Sequence, residues 1–483
     1  MKNSLSSFTQ DWQKNMERTK ETVQFNSDFI RRELKLKNNQ TATLLYLSNS
    51  VDLKTLQESV VAPLLHHDTS VLMNLKYIEQ QVLDSHVIQY VNDTKSASFL
   101  FYEGAVLLFL EEELDALAVS LPLYKERSVT DSKVETVIKG PQEAFTELIP
   151  SNINLIRQRL KNPQLRMSQF KIGEKTNTDV VLLYLHDVAD HKLVHRIEKR
   201  LSTIKIDRVF ESEYIQEVIH DKNQWTIFPI TFTSDRPDVV VAGLTDGKVV
   251  ILINGSPFSI ILPTGFTDFF KSAEDYYQPA YYSSLIRILR YIALFICMFT
   301  PAIYIALTTY HQDMIPTALL LSLSAQREGI PFPAFVEALL MEITFEILRE
   351  AGLRMPRTIG QAVSIVGTLV IGQAAVEASI VSAAMVIVVA ITAISTFVIP
   401  SYSMSIPIRI LRFIFMIFAS VFGIFGITVA FFLLCIHLCQ LESFGNAYMS
   451  PIAPYDQDKS PDTILRFPFN KRKQQKQEIE GRP

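Results

Sequence analysis

The chain changes character near residue 280. Charges are frequent before it and no apolar run reaches membrane length, whereas four blocks nearly free of charge recur after it. These are YIALFICMFTPAIYIALTTY (291–310), TIGQAVSIVGTLVIGQAAV (358–376), SIVSAAMVIVVAITAISTFVIP (379–400) and FIFMIFASVFGIFGITVAFFLLCIHL (413–438). A spanning helix needs about 20 mostly apolar residues, so the pattern predicts an α-helical transmembrane domain over 281–440 with about four crossings. A polar tail, 441–483, follows it.

Before residue 280, strand-like runs pass through polar turns into amphipathic helices. TLLYLSNSVDLKTLQESV (43–60) and VLLYLHDVADHKLVHRIEKRL (181–201) read as one unit, and FLFYEGAVLLFLEEELDALAVSLP (99–122) pairs with VVAGLTDGKVVILINGSPFSIILP (240–263). Each member of the second pair reads as a strand, a turn at Gly104 or Gly247, an apolar strand, a second turn and another strand. The pattern predicts an α/β domain of two similar halves, 1–128 and 129–280, joined near 124–140, and a cleft between such halves is a common place for a small ligand.

One segment contradicts the apolar rhythm. AFVEALLMEITFEILREAGLR (334–354) reads as a helix carrying Glu342, Glu346 and Glu350 on one stripe, with Arg349 at its edge. Glu337 falls on the apolar side, near the helix start after Pro331 and Pro333. An ionised side chain facing lipid costs about 3 kcal/mol or more, so these carboxylates either line a polar path, as acidic rings do in cation channels, or meet water from an interfacial helix. The preceding stretch, 314–333, has an apolar run too short to span, ending in Arg327, Glu328 and a proline turn. It predicts a re-entrant or interfacial helical hairpin. Beyond, Gly360, Gln361, Gly367, Gly372, Gln373 and Glu377 stand among small residues, which predicts a span facing other helices.

Composition narrows the function classes. A net charge of −4 gives no reason to expect nucleic acid. Cys297, Cys435 and Cys439 all lie in predicted spans and form no disulfide framework. The N-terminus lacks the apolar core of a signal peptide, so the large N-terminal domain is expected in the cytoplasm, and Arg287 and Arg290 before the first span fit the positive-inside rule. Arg409 and Arg412 precede the last span while Lys471, Arg472 and Lys473 follow it; four crossings put the tail inside and a fifth puts it outside. No phosphate loop, zinc-protease, nucleophile-elbow or paired C-x-x-C motif occurs, so neither an enzyme nor a cofactor is expected. His191 and His195, with Asp187 and Asp190 nearby, have metal-ligand spacing, but Lys192, Arg196 and Lys199 favour a solvated face.

Five stretches carry a family resemblance: KGPQEAFTELIPSNINLIRQRL (139–160), DRPDVVVAGLTDGKVVILINGSPFSIILP (235–263), SAEDYY (272–277), PFPAFVEALLMEITFEILREAGLRMP (331–356) and IGQAVSIVGTLVIGQAAVEASIVSAAMVIVVAITAISTF (359–397). The chain resembles the A subunit of GerA-type spore germinant receptors of endospore-forming Bacilli and Clostridia. The resemblance covers about 128–445 and departs at Asp235, where the family commonly has Glu, at Ala334, and at YYQPAYYSS (276–284). It implies a nutrient sensor in the spore inner membrane, assembled with a transporter-like B subunit and a C-subunit lipoprotein. It also implies an oligomer that conducts cations on germinant binding. Glu337, Glu342, Glu346, Glu350, Gln373 and Glu377 would then be pore or gate elements, and Arg287, Arg290 and Arg327 coupling elements. A scaffold or a secondary transporter subunit without conductance is the alternative.

Overall fold

The structure is a computed structural model that describes residues 7–67, 72–83, 87–123, 132, 135, 137–220, 226–356, 372–455 and 462–468. Two compact units are present: one comprises Met1–Lys222 and Thr231–Pro263, the other Asn223–Ile230 and Thr264–Pro483.

The first unit holds two five-stranded antiparallel sheets. One has the order β1-β2-β4-β5-β3, from Phe29–Lys35, Thr41–Leu47, Ile88–Val91, Ala105–Leu110 and Ala116–Ser120. The other repeats it as β6-β7-β9-β10-β8, from Leu165–Ile172, Thr178–Leu185, Phe232–Ser234, Val249–Ile253 and Ser259–Leu262. The segments paired by sequence occupy equivalent places, β2 with β7 and β4-β5 with β9-β10. Period-two alternation divides the first sheet between two cores. Leu44, Val106 and Leu108 pack toward the helical turns between Leu53 and Val82, while Leu45, Leu107 and Phe109 pack toward helices α1 (Trp12–Val23) and α2 (Thr94–Tyr102). In the second half, α3 (Ile149–Arg159) and α5 (Pro237–Thr245) cover Val181, Leu183, Val250 and Leu252, and α4 (His191–Thr203) begins at Asp190, which caps the Lys192 N–H. Asp190 therefore serves the helix end.

The residues before Gly104 and Gly247 are helical, where the apolar pattern predicts strands. Asp93 caps α2 through the Ser96 N–H, and Pro237 opens α5. A local cap decides what a short apolar run leaves open. The boundary between the halves, where the repeat suggests a ligand cleft, is packed. Arg157 on α3 reaches Asp28 at 2.6 and 2.9 Å and Ser50 at 2.9 Å, all buried. Arg166 lies 3.6 Å over the Phe25 ring.

The approach to the second half is tied down by polar contacts. Ser132 donates to Asp235 at 2.8 and 2.9 Å, and buried Arg236 grips Asp238 and the carbonyls of Glu135 and Pro141. Burial, reinforced by Asp235, pushes the Glu135 carboxyl up to about 8.

The second unit is helical: α6 (Ala280–Thr309), α7 (Thr317–Arg327), α8 (Ala334–Arg354), α9 (Gly372–Glu377), α10 (Ala383–Val398) and α11 (Tyr402–Gln440). Two of the described helices, α6 and α11, are long and apolar enough to cross a membrane. The 379–400 block forms a helix of 16 residues, and most of the 358–376 block lies outside the described residues. The four-crossing expectation is therefore not reproduced among the described residues.

Helix α11 is not one straight rod. The Phe299 ring of α6 lies 4.7 Å from Phe415 and 5.8 Å from Phe431, centroid to centroid. In an unbroken helix the α-carbons of Phe415 and Phe431 stand about 24 Å apart at 1.5 Å per residue. The reversal sits at Gly423, with φ 60° and ψ −140°, a conformation open essentially to glycine alone. A Cβ there would come within 2.6 Å of the His311 ring, and one at Gly426 would run into the Phe418 carbonyl. Tyr310 donates to the Ser420 carbonyl at 2.7 Å, fastening the tip to the end of α6. The 413–438 block, predicted as one span, thus straddles the tip of a helical hairpin, because uniform apolarity hides a turn that two glycines alone mark.

At the opposite end, Ser443 accepts from the Thr264 N–H at 3.0 Å and donates to the Ile230 carbonyl at 2.7 Å. The Tyr448 carbonyl takes the Phe266 N–H at 2.7 Å. The hairpin's second arm therefore ends beside the segment that leads into α6.

Two measurements check these features. Spin labels at Ile410→Cys and Ile436→Cys, with the three native cysteines removed, are expected within about 20 Å by pulsed EPR, against about 39 Å for a straight helix. For Glu135 the folded pKa lies above the unfolded value, so folding takes up a proton and stability falls as pH rises from about 4.5 to about 8. Denaturant unfolding of the first unit in the solubilised full-length protein should lose about 4 kcal/mol between pH 5 and 8.5, and Glu135→Gln should flatten that slope.

Candidate functional site

Helix α8 starts directly after Pro333 and runs on Leu, Met, Glu and Ala, all strong helix formers. Its carboxylates grade from buried to exposed along the helix. Glu337 and Glu342 have no exposed surface, the Glu346 side chain keeps 20%, and that of Glu350 keeps 59%.

Glu342 meets Arg412 on the first arm of α11 at 3.0 Å, both side chains fully buried, and takes a 3.3 Å hydrogen bond from Thr392 of α10. Glu346 is held by Arg412 at 3.0 Å and by Arg409 at 2.8 and 3.0 Å. Two carboxylates and two guanidiniums thus alternate between α8 and α11. Unpaired, any of these charges would be costly at such burial; paired, the group is neutral. Glu337 belongs to a separate contact. It accepts the Ser382 N–H at 2.6 Å and the Ser382 hydroxyl at the start of α10, with Arg327 at 3.8 Å. Tyr304 reaches the same hydroxyl at 3.3 Å.

The acidic stripe therefore faces neither a lumen nor water at Glu342: it faces arginines of the same chain. Glu350 pairs with Arg354 in its own helix at 2.7 Å. Gln373 and Glu377 are exposed and bonded to each other at 2.9 Å on α9, whereas the small-residue pattern predicts burial against other helices. Their i, i+4 spacing satisfies both groups without a second helix.

Arg287 and Arg290, read as flanking charges, are buried. Asp275 of the SAEDYY stretch takes Arg287 at 2.7 Å and Arg290 at 2.9 Å, and Arg290 also donates to the Phe270 carbonyl. Arg287 also pairs with Asp462 at 2.8 Å, bringing the C-terminal segment to the base of α6.

Sequence reasoning misses Arg409 and Arg412 as site residues because their charge also reads as a sidedness signal. The available clue is their i, i+3 spacing beside an apolar run, which puts both on one face to match a stripe of acids. Ser382, Thr392 and Asp462 carry no comparable signal. Among the described residues, no group of three or more His, Cys, Asp or Glu could hold a metal.

Two sheets of one strand order, followed in the chain by helices of which two are long and apolar enough to cross a membrane and which bury a network of ion pairs, define the class by its architecture. The chain belongs to the Bacillus/Clostridium GerA spore germination protein family, whose model matches residues 17–478. It is 43% identical to spore germination protein KA of Bacillus subtilis over 461 residues, covering 94% of this chain and 84% of that one. It is 42% identical to the uncharacterized membrane protein YfkQ of the same organism over 443 residues, covering 92% and 86%. Among solved structures it is similar to the N-terminal domain of the A subunit of the Bacillus megaterium spore germinant receptor GerK3, at 28% identity and a TM-score of 0.39, covering 54% of this chain and 97% of that one.

The buried pair makes a direct prediction. Arg412→Gln, which strands Glu342, should cost about 3–5 kcal/mol, whereas the double change Arg412→Met with Glu342→Met should cost much less. Thermal unfolding of the solubilised proteins checks this ranking.

Proposed function

We propose that this chain is a membrane subunit of a nutrient germinant receptor and that the contact between α8 and α11 is the closed form of a ligand-gated cation path. The observation that carries the reading is the wholly buried Glu342–Arg412 pair, extended by Glu346 and Arg409. A carboxylate used up by a guanidinium cannot replace a cation's water shell, so the paired network is non-conducting. Moving α11 away from α8 would bare two acids along one stripe, the charge arrangement that favours cations. Nutrient need only bind the separated form more tightly to shift that equilibrium.

On this reading the chain works by conformational change and not by catalysis, and needs no cofactor. Several copies surround the path, together with a transporter-like B subunit and a lipoprotein C subunit, in the spore inner membrane with the double-sheet unit in the cytoplasm. Arg327 bears on Glu337 at the start of α8, and Arg287 and Arg290 hold the base of α6 through Asp275, which suits them to coupling. Glu350, Gln373 and Glu377 lie outside the network and would become path elements only in the assembly.

The test is nutrient-triggered potassium release from spores. Glu342→Ala removes one of the two acids that the opened path would present to cations and should slow release more than tenfold in receptors that still assemble. Undiminished release from assembled Glu342→Ala receptors would instead favour a scaffold without its own conductance.

A further inference from the structure

The C-terminal segment is strapped to the base of the first apolar helix. Asp462 takes Arg287 at 2.8 Å and the Tyr276 hydroxyl, Arg466 donates to the Gln278 carbonyl, and Ser284 bonds the Arg466 backbone on both sides at 3.0 and 3.2 Å. The buried Arg466 guanidinium also lies 5.4 Å over the Tyr276 ring. Between strap and helix is a cavity of about 460 Å³ lined by Gln278, Pro279, Ala280, Tyr281, Arg466 and Pro468.

Three features of this cavity converge on one ligand class. Its wall is mostly apolar but contains a fixed guanidinium. Tyr281 of its wall is 80% exposed, and Tyr282 and Leu285, 43% and 62% exposed, follow on the first turns of α6, the aromatic and apolar surface expected at a membrane interface. The chain then leaves Pro468 and within a few residues carries Lys471, Arg472, Lys473 and Lys476. Basic sequence of this kind is drawn to anionic lipid.

We propose that this cavity seats the headgroup of an anionic phospholipid from the leaflet at which α6 begins, with Arg466 facing the phosphate and Tyr281 and Leu285 flanking the glycerol and acyl region. The proposal rests on the membrane reading above and adds a lipid-dependent clamp at the foot of the first span. A bound lipid would hold strap and helix together, so membrane composition would set how firmly α6 is anchored.

The test uses full-length protein in nanodiscs of phosphatidylcholine alone or with about one third phosphatidylglycerol. Trypsin cleavage after Lys471, Arg472 and Lys473 is followed by mass spectrometry. Cleavage should be at least about threefold slower with phosphatidylglycerol. That ratio should fall toward one in Arg466→Gln and persist in Arg466→Lys, and Tyr281→Ala, which leaves the strap's polar contacts intact, should weaken it. Equal rates in both lipids, or equal protection by inorganic phosphate in phosphatidylcholine discs, would overturn the lipid site alone. Failure of the protein to enter nanodiscs would overturn this site and the membrane reading together.

Discussion

A charge buried among apolar helices must be neutralised locally, and in this protein that requirement fixes the meeting of α8 and α11. Arg412 has no exposed surface, so its attachment is to Glu342 and Glu346, and it can leave them only if something else meets its charge. Arg409 extends the arrangement toward the more exposed end of Glu346. Replacing such a network with apolar residues often costs little, while removing one member costs several kcal/mol. On the proposed reading, a helical unit that keeps the ionic version is poised between a neutral closed contact and a charged open one.

The surrounding architecture ties that contact to the rest of the helical unit. Both arms of α11 lie on α6 through Phe299, and the tip at Gly423 is fastened by Tyr310 and filled by His311. The first arm carries Arg409 and Arg412, and the second returns to the residues beside Thr264 and Phe266. A displacement of the arginines is thus tied to the hairpin as a whole and, through α6, to the Asp275, Arg287 and Asp462 cluster at its base. The contact at Glu337 and Ser382 fixes the other end of α8 to α10, leaving the Glu346 end nearer to surface.

Much of this was legible in the sequence, and the rest was hidden for identifiable reasons. The unbroken apolar runs in 44–47 and 105–110 read as buried strands and are buried on both faces, and the two spaced copies of the pattern matched two sheets of one strand order. The acidic stripe was visible as such. Its partners were not, since Glu346 and Arg412 stand 66 residues apart and nothing local links them. Residues 99–102 read as strand because four apolar residues carry no period; the cap at Asp93 decided for helix. The hairpin in α11 was masked by apolar residues on both arms. Glu350 shared the spacing of Glu342 and Glu346 but not their surroundings, which periodicity cannot report.

The most direct measurement is potassium leakage from resting spores, without nutrient, in charge-exchanged receptors. Arg412→Glu leaves three acids facing one another and is predicted to leak, as is Glu342→Arg to a lesser degree through the displaced helix, while the two together restore the pair and the seal. Leakage from the double exchange equal to that of Arg412→Glu, or tight spores in that single variant, would contradict the claim that this ion pair holds the path closed.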